Sequence, residues 1–135
     1  MSVALGLKLT HITIDVPSID EALHFFCTYF GMVVCNDRRK NGGTTVWLSM
    51  PQQKIEPLFV LVICEAEEQT YRLDHLGFQV STLHDFECMH LKMVASPWST
   101  TIVEISDSDL GRYFQISGPG GHGIEITFGQ AISGL

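Results

Sequence analysis

The sequence predicts an α+β fold in which one domain, residues 1–135, consists of two βαβββ modules at residues 1–70 and 71–135. Three observations support this prediction. Residues 9–16 (LTHITIDV) recur 64 positions later as residues 73–80 (LDHLGFQV), with Leu, His and Val unchanged. A helical pattern follows each copy, and three strand-like segments follow each helix. Because the repeat spans about half of the chain, it indicates a duplicated structural unit.

The elements of the first module follow from residue spacing and turn residues. Alternating apolar and polar residues predict a strand at residues 9–16. Ser18 and Glu21 have the spacing of a capping box, the apolar residues after them recur at helical intervals, and Gly31 ends the predicted helix. Three β-rich segments then lie between turn-forming residues, at residues 32–36, 44–50 and 58–64.

The second module repeats this order of elements. Its first strand is predicted at residues 73–80, and Ser81 or Thr82 is the expected N-cap of a helix that ends before Pro97. Three more strands, separated by Asp, Ser and Gly turns, are predicted at residues 101–106, 112–117 and 123–128. Each module therefore has the order βαβββ.

Composition and charge exclude several classes of protein. With 45% apolar and 17% charged residues, the chain is not disordered, and its net charge of −7 opposes nucleic-acid binding. The longest apolar run, residues 58–64, is shorter than the roughly 20 residues of a membrane helix, and no export signal is visible. The four cysteines form no C-x-x-C pair, so reduced thiols are expected. We therefore expect a cytoplasmic protein without nucleic-acid or membrane partners.

Three residues form a candidate metal site. Alternation along the strands places His11, His75 and Glu125 opposite the apolar residues that the helices cover. Two imidazoles and one carboxylate form a facial triad that leaves coordination positions open for substrate, water or dioxygen. We expect one divalent metal ion, with Fe(II) favoured and Mn(II), Ni(II), Co(II) or Zn(II) fitting the same donors. A surface or structural role is the alternative for each histidine by itself.

Four segments carry a resemblance to a known family. They are residues 9–16, the helix end at 29–32 (YFGM), residues 74–76 (DHL) and residues 118–126 (GPGGHGIEI), where Gly118 replaces the family's Asp. In these segments the chain resembles the vicinal-oxygen-chelate superfamily, which includes glyoxalase I, fosfomycin-resistance thiol transferases, bleomycin-resistance proteins and extradiol dioxygenases. The resemblance implies a U-shaped mixed sheet, a metal held in its cleft by His11, His75 and Glu125, and a homodimer.

Each branch of that family has at least one feature that this chain lacks. Glyoxalase I enzymes typically use a second glutamate on the last strand of the first module, but the 64-residue offset from Glu125 gives position 61, a Leu. Glu56 or Glu65 could substitute only with a shifted register. Extradiol dioxygenases usually carry an acid/base His on the strand before the second ligand, where this chain has apolar residues. They also carry a Tyr where Gln115 stands, and Tyr113 could replace it. Fosfomycin-type transferases have a match at Thr13, but their basic phosphonate-binding residues have none.

The predicted function is a divalent-metal enzyme that acts on a small oxygen-rich molecule, with a dioxygenase-like reaction as the first candidate. A glyoxalase-type lyase or isomerase is one alternative, and a metal-free protein that binds an aromatic or drug-like ligand is another. The candidate residues beyond the triad fall into a catalytic and a substrate-binding group: Tyr113, Gln115 and Thr13, then Trp47, His122 and Arg112. Packing is the alternative for Trp47 and Tyr113, and a surface ion pair is the alternative for Arg112.

Overall fold

The computed structural model describes residues 7–53, 58–69, 71–109 and 111–129. The chain divides into two compact units, residues 1–70 and 71–135, and each contains one four-stranded mixed sheet and helical segments. The order βαβββ occurs in both units, which confirms the predicted fold class. In the part of the chain that is described, no helix is long and apolar enough to cross a membrane.

The first unit contains a sheet in the order β1-β4-β3-β2. Strand β4 runs parallel to β1 and antiparallel to β3, which in turn is antiparallel to β2. The elements are β1 (His11–Val16), α1 (Ile19–Leu23), a π-helical segment (His24–Tyr29), β2 (Val33–Asp37), β3 (Thr45–Ser49) and β4 (Val60–Glu65). A 3-10 turn, Arg38–Asn41, joins β2 to β3.

Helix α1 begins where side chains satisfy its first backbone N–H groups. The Ser18 hydroxyl accepts from the Glu21 N–H at 3.2 Å, as its position in the capping box predicts. The Glu65 carboxylate, at the end of β4, accepts from the Ile19 N–H at 3.0 Å. Gly31 follows the helical region with a φ of +70°, which confirms it as the end of the helix.

The second half of the predicted first helix is π-helical instead of α-helical. The wider turn stacks residues five apart, and the rings of Phe25 and Phe30 have centroids 5.0 Å from each other. Phe25 and Phe26 are fully buried, and their rings meet edge to face at 5.0 Å. Periodicity predicted the helix, but this aromatic packing accounts for the wider turn.

The second unit repeats the topology, with the sheet order β5-β8-β7-β6. Thr82 is the N-cap of its helix, because the Thr82 hydroxyl accepts from the Asp85 N–H at 3.0 Å. Phe86 packs edge to face on Phe114 at 5.5 Å, which joins the helix to the sheet. The elements are β5 (Leu76–Val80), α2 (Leu83–Val94), β6 (Val103–Ser108), β7 (Gly111–Ser117) and β8 (Gly123–Phe128).

Two of the four edge strands of the described sheets, β2 and β6, share a local irregularity. Strand β2 carries one extra residue relative to β3 between Val34 and Asn36, and β6 carries one relative to β7 between Val103 and Ser106. Such bulges bend the strand and interrupt its hydrogen-bond ladder. Both strands also expose apolar side chains, since Val34 is 46% and Val103 is 56% exposed.

Candidate metal and substrate site

His75 lies immediately before β5, and its ring is oriented by its neighbour in sequence. The His75 Nδ1 lies 2.7 Å from the Asp74 carboxylate. A carboxylate can only accept, so Nδ1–H is the donor, and in a neutral imidazole this leaves the lone pair on Nε2. A carboxylate that holds the outer nitrogen of a histidine is a common arrangement around protein metal sites.

Glu125 lies on β8 with its two carboxylate oxygens in different surroundings. Its Oε2 is 3.7 Å from His75 Nε2, and its Oε1 accepts from the Gln115 amide at 3.4 Å. The register explains both contacts, because Glu125 is the cross-strand partner of Gly77 on one side and of Gln115 on the other. Gly77 has no side chain, which keeps the space beside Oε2 open.

The donor atoms of the second unit fit a divalent ion. A separation of 3.7 Å between His75 Nε2 and Glu125 Oε2 is too long for a hydrogen bond. Two ligands that each bond to a common ion at about 2.1 Å can be up to about 4.2 Å apart. Imidazole nitrogen and carboxylate oxygen are both suitable ligands for the metals of the predicted set. The pair therefore fits as two members of a metal site.

The third predicted ligand belongs to the first unit. His11 begins β1, is exposed, and has its Nδ1 2.9 Å from the Thr10 hydroxyl. Over the described ranges of the chain, no group of three or more His, Cys, Asp or Glu side chains stands in an arrangement that could hold a metal ion. The triad of His11, His75 and Glu125 stays a prediction; His75 and Glu125 belong to the same unit and lie close together.

A cavity of about 350 Å³ lies beside His11 in the first unit. Thr13 and Val62 are register partners, as are Val62 and Trp47, so the three form one row across the sheet. Thr13 and Trp47, both predicted site residues, lie in the cavity wall. The rest of the described wall comes from Thr10, His11, Leu58, Val60 and Val62.

The register also corrects one inference from the sequence. In the second unit, Glu125 pairs with Gly77. The repeat aligns Gly77 with Thr13 of the first unit. Thr13 pairs with Val62, so Val62 and not Leu61 is the counterpart of Glu125. The first unit has one more residue between these strands than the second, so the 64-residue offset misplaces the counterpart by one position. The counterpart of Glu125 is still apolar, and Leu61 is buried on the opposite face of β4.

The two glutamates considered as replacements are also accounted for. Glu65 uses its carboxylate to cap α1 through the Ile19 N–H. Glu56 lies outside the described residues. In the described part of β4, the cavity wall consists of Val60 and Val62 and contains no carboxylate.

His122 and Gly123 hold the segment that precedes β5. His122 is only 1% exposed, and its Nδ1 accepts from the Leu73 N–H at 2.9 Å. The Gly123 N–H donates to the Leu73 carbonyl at 3.2 Å, and a Cβ at Gly123 would overlap the carbonyl of Asp74. Strand β5 begins at Leu76, later than predicted, and these contacts hold the residues before it. The substrate-binding role of His122 stays a prediction, while its observed contact is structural.

Strand β7 presents the remaining predicted residues on two faces. Tyr113 and Gln115 alternate with Phe114 and share the face of Glu125. Arg112 lies on the other face and donates to the Asp107 carboxylate at 2.8 and 3.2 Å. The surface ion pair considered for Arg112 is therefore present, and its substrate-binding role stays a prediction.

Sequence reasoning missed two polar side chains of the second unit. Asp74 stood in the quoted motif without a role, and its contact with His75 depends on backbone geometry that spacing does not show. Thr127 lies two residues after Glu125 on the same face, and its hydroxyl is buried without a hydrogen-bond partner among the described residues. Alternation from Glu125 along β8 was the signal that could have identified Thr127.

Comparisons with known proteins agree with this architecture. A family model described as the Glyoxalase/Bleomycin resistance protein/Dioxygenase superfamily matches residues 8–126. The Uncharacterized protein PA2024 of Pseudomonas aeruginosa is 25% identical over 126 residues, which cover 92% of this chain and 90% of that protein.

Two solved structures are similar in fold. The fosfomycin resistance protein FosX from Listeria monocytogenes gives a TM-score of 0.72 at 15% identity, over 93% of this chain and 95% of that one. The lactoylglutathione lyase from Agrobacterium tumefaciens gives a TM-score of 0.70 at 11% identity, over 97% of this chain and all of that one. Since the two names describe different activities, the shared fold does not select a reaction.

Proposed function

This chain belongs to the glyoxalase/bleomycin resistance protein/dioxygenase superfamily, and from that premise we propose that it is a divalent-metal enzyme acting on a small oxygen-rich molecule. His11, His75 and Glu125 are the proposed ligands, and Fe(II) is the favoured metal. The observation that carries the proposal is the 3.7 Å separation of His75 Nε2 and Glu125 Oε2. The remaining polar atoms of the two side chains are hydrogen-bonded, His75 Nδ1 to Asp74 and Glu125 Oε1 to Gln115.

The metal, when bound, would act as a Lewis acid that stabilises negative charge on vicinal substrate oxygens. The chain's own residues would position the ligands and the substrate. Asp74 holds the proton of His75 at Nδ1, and Gln115 fixes the orientation of the Glu125 carboxylate. The buried hydroxyl of Thr127 can bind a substrate oxygen or a water, which would offset the cost of burying it without a partner.

The other predicted residues lie on sheet faces where they could act on a substrate. Tyr113 lies on the face of Glu125, where its hydroxyl can give a proton to a substrate oxygen or take one from it. Thr13 and Trp47 lie in the cavity wall of the first unit, where they can hydrogen-bond the substrate and contact its apolar part. We propose these residues for substrate positioning and proton transfer.

A dioxygenase-like reaction is the first candidate, because two imidazoles and one carboxylate leave positions open for both a bidentate substrate and dioxygen. A glyoxalase-type lyase or isomerase needs a base that transfers a proton between neighbouring carbons. The counterpart of Glu125 is Val62, and Glu65 is used as a helix cap, so neither position supplies such a base. This favours the dioxygenase-like candidate over the lyase.

Metal binding is the first test of the proposal. The protein is purified without oxygen and titrated with Fe(II), Mn(II), Ni(II), Co(II) and Zn(II) in a calorimeter. We expect saturable binding of one ion per chain, abolished by His75→Ala and by Glu125→Ala. His84→Ala is the control, since His84 is exposed on α2 and its Nε2 lies 3.5 Å from Cys88 Sγ. Indifference to all five metals would contradict the proposal.

The reaction class is tested separately with the iron-loaded protein. Oxygen uptake is recorded with catechol and its methyl-substituted forms, and we expect uptake that requires both Fe(II) and Glu125. If the protein binds metal but consumes no oxygen with these substrates, the dioxygenase-like candidate is wrong for them. A lyase or isomerase would then become the first candidate.

A protein that binds a ligand without metal is the second candidate function. The apolar cavity of the first unit is the observation that favours it, because a cavity of this kind can hold a ligand without any metal. Under this alternative, ligand binding would be unaffected by chelators, and metal titration would give no saturable signal. The calorimetric experiment therefore separates the two candidates.

A further inference from the structure

The cavity of the first unit has one apolar side and one polar side. Trp47, Val60 and Val62 supply apolar surface from β3 and β4, and Leu58 adds to it just before β4. Thr10, His11 and Thr13 supply the polar atoms, and all three lie on β1 or immediately before it. A ligand that matches this surface has an apolar body over β3 and β4, and a hydrogen-bonding group toward β1.

Charge restricts the ligand further. Among the described residues that line the cavity, none is Lys, Arg, Asp or Glu. When no metal is bound, a charged ligand group would lose hydration on entering such a wall without gaining an opposite charge. The net charge of −7 also disfavours the approach of anions. The hydrogen-bonding group is therefore neutral, as in a hydroxyl or a carbonyl.

Size and shape point to a ring. A volume of about 350 Å³ is at the lower end of pockets that hold small organic molecules. The flat indole of Trp47 and the branched side chains of Val60 and Val62 favour a planar apolar group over a flexible chain. The cavity therefore suits one or two fused rings better than a long acyl group.

From these three properties we propose that the cavity of the first unit binds a neutral aromatic group that carries a hydroxyl or carbonyl, and that without a bound metal it selects against aromatic anions. The inference rests on the proposed function in treating this cavity as the part of the site that receives the substrate. His11 in the cavity wall is a proposed metal ligand, but the apolar wall residues Trp47, Val60 and Val62 are not, so their surface does not require the metal. Binding is therefore expected in the presence of a chelator.

The chain offers a direct reporter for this test. It contains two tryptophans, so Trp98→Phe leaves Trp47 as the one source of indole fluorescence. The probes are 4-nitrobenzyl alcohol and 4-nitrobenzoate, which share a quenching nitrophenyl ring and differ in charge. With EDTA present, we expect saturable quenching by the alcohol and binding of the benzoate that is weaker by about tenfold or more. Calorimetry with the unsubstituted protein and the same probes gives the measurement without any substitution.

A charge introduced into the wall should reverse this preference. Val60→Lys places a cation in the cavity, and we expect the variant to bind the benzoate more tightly than the alcohol. Val34→Lys is the matched control, because it makes the same change in net charge on the exposed strand β2. That control should keep the preference for the alcohol.

Three outcomes would overturn the inference. They are equal affinity for the two probes, quenching that never saturates, and the same charge preference in Val60→Lys and Val34→Lys. Failure of the proposed function gives a different pattern, in which metal titration shows no binding while the alcohol still binds. Metal titration and probe binding are separate measurements, so failure of one proposal is distinguishable from failure of the other.

Discussion

Gln115 and Glu125 are cross-strand partners on β7 and β8, and the Gln115 amide donates to Glu125 Oε1 at 3.4 Å. The contact fixes the carboxylate so that its other oxygen, Oε2, faces His75. A side chain that orients a metal ligand contributes to metal affinity without touching the metal. Gln115 is therefore a positioning residue for the proposed site.

Gln115→Leu should weaken metal binding by about tenfold, because the carboxylate of Glu125 loses its donor. Calorimetric titration measures the affinity, and the visible spectrum of the Co(II)-substituted protein reports the changed ligand geometry. Gln79→Leu is the control, since Gln79 is an exposed residue of β5 that pairs with Thr127 and not with Glu125. Unchanged affinity and spectrum in Gln115→Leu would show that the contact has no role in metal binding.

Gly123→Ala should destabilise the protein by about 2 kcal/mol or more, because the added Cβ overlaps the Asp74 carbonyl, which is backbone and cannot move independently. Urea unfolding measures the free energy. In the control Gly77→Ala, the nearest atom to the new Cβ is Glu125 Oε2 at 3.9 Å, an ordinary contact. The control should stay within about 0.5 kcal/mol of the unsubstituted protein, and an equal loss in both variants would refute the packing argument.

Glu65→Ala should lower the free energy of unfolding by about 1 kcal/mol, because the Ile19 N–H at the start of α1 loses its acceptor. Metal affinity and any catalytic activity should persist, since Glu65 acts as a cap. Glu67→Ala, at an exposed position nearby, should change stability by less than about 0.5 kcal/mol. Loss of activity in Glu65→Ala without loss of stability would instead favour a catalytic base of the glyoxalase type.

The ion pair of Arg112 and Asp107 should be visible in an NMR titration. Hydrogen bonds from the Arg112 guanidinium hold the pKa of Asp107 below its ordinary value. Because this folded-state pKa is depressed, the pair stabilises the fold above the ordinary carboxyl pKa of about 3.9, and the contribution is lost as the pH falls through the folded-state value. Arg112→Ala should return the pKa of Asp107 toward its ordinary value.

Asp37 serves as an internal control in the same titration. Its pKa is also lowered, through hydrogen bonds from Arg39 in the first unit, and it should not respond to Arg112→Ala. A shift of both carboxyls would mean that the substitution disturbs the whole fold.

The duplicated βαβββ order was predictable because the repeat, the helix caps and the turn residues are all local signals. Ser18, Thr82 and Gly31 occupy the roles that their types and positions predicted. The π-helical turn was not predictable from periodicity, since it depends on how Phe25 and Phe30 pack. Tertiary contacts of this kind leave no regular spacing in the sequence.

The candidate site was predictable to a similar extent. Strand alternation places Gln115 and Tyr113 on the face of Glu125, and the register agrees with this. The fixed 64-residue offset wrongly gave Leu61 as the counterpart of Glu125, because the first unit has one more residue between its parallel strands. The pairing of Thr13 identifies Val62 as the counterpart. The roles of Asp74 and His122 depend on distances that no pattern encodes.

An incoming polypeptide cannot pair along the whole of β2 or the whole of β6. Each of these strands contains one extra residue, which shifts the alternation of its outward-facing N–H and C=O groups in the middle of the strand. A new strand that pairs with the residues before the bulge is therefore out of register with the residues after it. Open-ended stacking of chains through these edges is thereby hindered, even though valines lie exposed on both. The bulges therefore oppose fibril growth from β2 and from β6, whereas β1 and β5, the other edge strands of the two described sheets, carry none.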